Sequence, residues 1–278
     1  MINLEHLSFT YEHGKGKALD DVTLHVERGD FLGIIGESGA GKSTLGHCMN
    51  GVIPHHYQGD YYGHASVDGQ DTFELALTDI SRTIGTVSQD VDSSMVAAVV
   101  EDELLYGLEN FGVATDEIDE RIETTLAKVG IADLRKRKIA TLSGGQKQKV
   151  ALAAIIALRP RVILLDEPTA ELDPVSSRQM FELLADLNDA GITVIIIEQK
   201  VMLLSEFAKH IAVLAHGKIA LQGTTSEVLA HTERMQELGI NCPRVARMSV
   251  KLNKRGLGDG RVAATVGQAC EYVKEILA

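Results

Sequence analysis

The stretch FLGIIGESGAGKST, Phe31 to Thr44, constrains the fold more than any other part of the chain. FLGIIG is a continuous apolar run, as expected of a strand covered on both faces. It leads into G-x-x-x-x-G-K-S, Gly36 to Ser43, and a helical run follows. Strand, glycine-rich loop and helix together let backbone N–H groups curl around phosphate oxygens. The loop residues are Gly36, Glu37, Ser38, Gly39, Ala40 and Gly41, with Thr44 closing the motif. Lys42 is placed to reach the β and γ phosphates, and the Ser43 hydroxyl to ligate Mg²⁺.

A second apolar strand, VILLDEP, ends in Asp166 and Glu167. Successive side chains of a strand point opposite ways, so the two carboxylates have different tasks. Asp166 suits the outer shell of Mg²⁺ and Glu167 the activation of an attacking water. ITVIII is a third buried run, whereas INLEHLSFTY and VTLHVERGD alternate and read as antiparallel strands with one solvated face. With no Trp and few Phe or Tyr, the core is built from Val, Ile, Leu and Ala, as in an α/β protein. The middle, about 91–158, shows helical spacing and reads as a helical subdomain inserted between buried strands. The segment 231–278 has a net charge of +3 against −15 for residues 1–230, and reads as a separate unit. In it Pro243 can open a helix whose face carries Val245, Met248 and Leu252, and Thr265 with Gln268 form a capping box.

Between the two phosphate-related motifs lies TLSGGQKQKVALAAIIAL. Ser143 is a natural N-cap, and Gly144, Gly145 and Gln146 form the first turn of a long helix, an anion-binding end. One chain with two anion sites and a single triphosphate grip suggests that this end serves a nucleotide held by another subunit. The net charge of −12 argues against a nucleic-acid partner. The longest apolar run, VALAAIIAL, is half the length of a bilayer span, and the N-terminus shows no signal peptide, so no direct membrane insertion is expected. His55 and His56 lack metal-ligand spacing. The three cysteines are widely spaced and form no C-x-x-C pair, which fits a reducing compartment.

LSGGQ at Leu142 to Gln146, about twenty residues before the Asp-Glu pair and about a hundred after Lys42, resembles the nucleotide-binding domain of ATP-binding cassette proteins. The resemblance covers residues 1 to about 230. It implies a RecA-like P-loop NTPase core with an antiparallel β subdomain and a helical subdomain bearing the signature, to which the tail at 231–278 adds a small helical appendix read from its own charge and capping signals. It also implies ATP and Mg²⁺ as ligands, and a head-to-tail dimer in which each ATP is held by one chain's phosphate loop and the other's LSGGQ. By the same resemblance Tyr11 stacks on adenine, Gln89 touches Mg²⁺ and relays nucleotide state, and Asp173 communicates between sites. Glu171 departs from the small residue usual in its loop. Gln199 stands where the family places a histidine that contacts the γ-phosphate, and an amide cannot carry a proton or positive charge.

MVAAVVEDELLYGLEN and CPRVARMSVKLNKRGL are similar to the ATPase subunits of energy-coupling-factor importers, which take up vitamins or transition-metal ions. That likeness implies an integral membrane scaffold and a substrate-binding membrane protein as partners. It implies a peripheral place on the cytoplasmic face of the cell membrane, and a tail that helps the ATPases pair. Gln199 leaves two readings, a second, different ATPase that supplies a complete site or a homodimer in which the amide suffices, and the likeness favours the first because many such importers pair two distinct ATPases. A conventional solute importer with a regulatory tail and a soluble non-transport cassette protein are the alternatives.

Overall fold

The computed structural model describes residues 1–277. Its strands are β1 Ile2–Tyr11, β2 Leu19–Val26, β3 Phe31–Ile35, β4 Gly59–Val67, β5 Gln70–Asp71, β6 Ile84–Val87, β7 Val162–Asp166, β8 Thr193–Glu198, β9 His210–Ala215 and β10 Lys218–Thr224. The helices nearest the site are α1 Lys42–Met49, α2 Val52–His55, α3 Leu77–Thr83, α4 Val91–Ser94, α5 Val100–Asn110, α6 Thr115–Val129 and α7 Gly144–Ala157. They are followed by α8 Pro174–Asp189, α9 Val201–Phe207, α10 Thr225–Ala230, α11 Thr232–Glu237, α12 Arg244–Lys254 and α13 Val266–Leu277.

Two sheets form, in the orders β2-β1-β4-β5 and β10-β9-β3-β8-β7-β6. The first is antiparallel, and β2 alternates buried and exposed residues as a half-solvated strand must. In the second, β9, β3, β8, β7 and β6 run parallel and β10 closes the edge antiparallel. The apolar runs of β3, β7 and β8 divide between two cores by strict alternation. Leu32, Ile34, Val162, Leu164, Ile195 and Ile197 face the antiparallel sheet and α1. Phe31, Ile35, Ile163, Leu165, Val194 and Ile196 face the helices on the other side. Burial on both faces makes these runs continuous in sequence, and the parallel direction of β3, β8 and β7 puts their C-terminal ends on one side of the sheet. Sequence reading passed over β4 and β5, whose GDYYGHASV run is mostly exposed or half-buried.

The segment from Val91 to Ala157 holds α4 to α7 and no strand. The tail is not detached from the body: Met235, Ile240, Cys242 and Ala246 join the core that lies under α10 and the parallel sheet. Pro243 does cap α12, and Thr265 and Gln268 exchange hydrogen bonds ahead of α13. The inward face of α12 is not the one that carries Val245, Met248 and Leu252. Ala246 and Ser249 point inward, while Val245, Met248 and Leu252 are half-buried. Ser249 is tolerated there because its hydroxyl donates to the Val245 carbonyl and accepts from the Ala263 N–H.

Burial of Cys48 on α1 and Cys242 before α12 pushes both thiols up, Cys242 to about 11, while Cys270 on α13 is exposed. A thiol reagent at pH 8 therefore titrates one cysteine quickly in the native protein and all three after urea unfolding. Rapid labelling of Cys242 in the native protein would contradict the docking of the tail.

Candidate active site

The turn from β3 into α1 is built by what its glycines permit. Gly36 lies against the Leu214 carbonyl, where a Cβ would collide, and Gly41 has φ of 104°. The loop delivers Lys42 to the start of α1, only 5% exposed, with its ammonium donating to the carbonyls of Gly36 (3.1 Å) and Glu37 (3.0 Å). The loop thus holds its own lysine at its centre, where it is available to an incoming anion. Glu37 also reaches Gly239 in the tail, where a Cβ would collide with its carboxylate, so the tail lies against the phosphate loop.

Asp166 ends β7 beside this loop. Burial raises its carboxyl pKa, and the neighbouring Ser43 hydroxyl opposes the rise. One of its oxygens, Oδ1, is buried without a hydrogen-bond partner. A buried carboxylate oxygen left unsatisfied, next to a hydroxyl and a lysine, fits a hard divalent cation with oxygen ligands such as Mg²⁺. His47, one turn into α1, feels the same burial, which lowers its pKa while Asp166 works against the shift.

Glu167 leaves the strand with φ of 48°, a left-handed conformation costing on the order of 1–3 kcal/mol outside glycine. Its N–H donates to the Ile197 carbonyl at 2.9 Å, which ties the turn to β8. Two amides hold its carboxylate: Gln89 Nε2 donates to Oε2 at 3.2 Å and Gln199 Nε2 to Oε1 at 2.6 Å. The fold thereby gathers Gln89, Glu167 and Gln199 from three loops at the ends of β6, β7 and β8. Gln199 acts here as a donor to the Glu167 carboxylate.

Sequence reading missed Glu198. This carboxylate is 3% exposed and takes the Thr169 hydroxyl at 2.6 Å and the Thr169 N–H at 3.2 Å. It also accepts from the N–H of Gln199, and Lys200 donates to the Thr169 carbonyl. Glu198 thus locks the turn carrying Glu167 to the residue carrying the Gln199 amide. The signal available in sequence was an acidic residue directly ending an apolar strand run. Tyr11 is half-buried, its phenol 3.1 Å from the Thr44 hydroxyl and its ring edge-on to Phe9 and Tyr57.

The signature residues stand apart from this cluster. Ser143 accepts from the Gln146 N–H while the Gln146 side chain accepts from the Ser143 N–H, a reciprocal cap on α7. The cleft that Ser143 to Gln146 line, about 430 Å³, is shared with Glu171, Leu172 and Asp173 and contains no phosphate-loop residue. Asp173 caps α8 through the N–H groups of Val175 and Ser176, and the Ser176 hydroxyl holds its pKa down.

Residues 19–170 match the ABC transporter family. The chain belongs to that family. It is an ATPase whose hydrolysis is coupled to transport. It is 37% identical to the energy-coupling factor transporter ATP-binding protein EcfA1 of Caldanaerobacter subterraneus subsp. tengcongensis, over 98% of each chain. The fold matches cbiO1 from Clostridium perfringens, described as part of the ABC transporter complex cbiONQ. The TM-score is 0.74 at 30% identity, covering 89% of this chain and 97% of that one. It also matches a dimeric ATP-binding cassette in a post-hydrolysis state bound to ADP and Pi, with TM-score 0.72 at 27% identity, covering 81% and 99%. The P-loop NTPase core expected from the motifs is the one present. Among the described residues no helix is long and apolar enough to cross a membrane.

Proposed function

We propose that this ABC ATPase powers an energy-coupling-factor importer for vitamins or transition-metal ions. It works head to tail with a second, different ATPase subunit, on the cytoplasmic face of the membrane. The observation that carries the reading is the separation of the two anion grips. Gly36 to Thr44, Asp166, Glu167, Gln89 and Gln199 lie together at the strand ends, while Ser143 to Gln146 line a different cleft. A chain so divided needs a second one to complete each site. The full-length likeness to EcfA1 and the likeness to cbiO1 support the importer class, and the dimeric cassette supports the pairing.

In this reading Ser43, Asp166 and Gln89 hold Mg²⁺, which neutralises charge on the β and γ phosphates when bound. Lys42 leaves its loop carbonyls for those phosphates, and the N–H groups of the phosphate loop take the rest of the charge. Tyr11 offers its ring to adenine. Glu167 accepts the proton of the attacking water, and Gln89 and Gln199 orient its carboxylate. Gln89, at the edge of the helical segment, passes nucleotide state to the membrane scaffold, and Asp173 lies where the two sites communicate. Residues 231–278 form a unit that helps the ATPases pair, and a substrate-binding membrane protein completes the importer.

Affinity purification of this chain from detergent-solubilised membranes tests the proposal. We expect integral membrane proteins and a second ATPase to co-elute, with ATP hydrolysis that stops when EDTA removes Mg²⁺. Recovery of the chain alone, or with ribosomes or DNA, would overturn it.

A further inference from the structure

The loop between β7 and α8 carries three acids, Glu167, Glu171 and Asp173. The loop carrying Glu171 and Leu172 lies across the first turn of α7: a Cβ on Gly144 would collide with the Glu171 Oε2, and one on Gly145 would lie 2.9 Å from the Leu172 Cδ2. Gly144 is thus what allows the Glu171 carboxylate to rest on the helix start, and Gly145 what lets Leu172 pack beside it. In that turn the Gln146 N–H is taken by the Ser143 hydroxyl and the Lys147 N–H by the Ser143 carbonyl. The N–H groups of Gly144 and Gly145 come too early in the helix to reach a carbonyl of their own. The other acids of this loop are committed elsewhere: Glu167 accepts from Gln89 and Gln199, and Asp173 caps α8. Of the acids in this loop Glu171 is the one left against the signature turn, and both line the same cleft of about 430 Å³, with Asp133 and Lys149 also on its wall.

We propose that Glu171 is a charge gate on the composite site, its carboxylate resting where the γ-phosphate of the partner subunit's ATP must arrive for the sandwich to close. The proposal rests on the head-to-tail reading above. In the open chain the carboxylate is favoured by the positive end of α7. On closure a phosphate brings a second negative charge to the same turn, and two like charges a few ångströms apart oppose each other unless one moves. Glu171 has room to leave, because the cleft opens beside it. The gate therefore raises the ATP concentration needed for pairing and makes pairing sensitive to salt.

The test uses the full-length chain with the ATPase it is isolated with, both carrying a Gln in place of the catalytic carboxylate, Glu167→Gln in this chain. Pair formation is followed by sedimentation against ATP at low and high salt. Glu171→Gln, which keeps size and removes charge, is expected to lower the half-saturating ATP about three- to ten-fold at low salt. The difference should shrink near 1 M salt, where the Debye length falls to about 3 Å. Glu171→Gly should behave alike, and ADP binding at this chain's own phosphate loop should not change. ATP-driven pairing that Glu171→Gln leaves unchanged or weakens overturns the gate alone. No ATP-driven pairing in parent or variant overturns the head-to-tail reading and the gate with it.

Discussion

Gln199→His raises the turnover of this chain's own ATP site by about ten-fold or more, while the KM for ATP changes by less than about two-fold. The expectation follows from what the amide does in the structure. Gln199 Nε2 donates to Glu167 at 2.6 Å, so it positions the carboxylate but brings neither a proton nor a positive charge toward a γ-phosphate. An imidazole of similar reach can carry both, and charge develops on the phosphate during hydrolysis, not on binding. Gln199→Ala, which leaves Glu167 with the Gln89 bond alone, lowers turnover by about ten-fold. The measurement is steady-state ATPase of the assembled pair with the partner's catalytic carboxylate replaced, so that this site alone reports. Equal turnover for glutamine and histidine would show that the amide is a full substitute, and would remove the main reason for expecting a second, different ATPase.

The parts of this site readable in sequence are those whose chemistry is local. Gly36 to Ser43 is contiguous, and its glycines, lysine and hydroxyl are fixed by the turn itself. Asp166 and Glu167 are adjacent, and strand alternation alone separates their tasks. Ser143 and Gln146 show a cap at the spacing that caps require. What sequence could not show is convergence. Gln89 and Gln199 lie 78 and 32 residues from Glu167, and only the parallel order β8-β7-β6 brings their loops to it. Glu198 was hidden because a buried carboxylate is unreadable until its partner, Thr169, is known to be opposite. Glu171 could be seen to depart from a small residue, but its place over Gly144 depends on the packing of α7 against the loop after β7. Which face of α12 turns inward depends likewise on packing, because Ser249 is buried only where its hydroxyl finds the Val245 carbonyl and the Ala263 N–H.

In the proposed pairing the signature loop of this chain completes an ATP site whose phosphate loop belongs to another subunit. Comparing Ser143→Arg with Glu167→Gln in the assembled ATPase pair tests that arrangement. The arginine fills the small turn at the start of α7 with a long cation, and it should leave ATP binding at this chain's own phosphate loop intact. If this chain's own site is slowed by Gln199 and the partner's site carries most turnover, Ser143→Arg lowers ATPase by about ten-fold or more. Glu167→Gln, although it removes this chain's own base, then lowers the total by less than about two-fold, because it disables the slower site. A Ser143→Arg pair that hydrolyses ATP at the parental rate, while Glu167→Gln abolishes hydrolysis, would contradict the account.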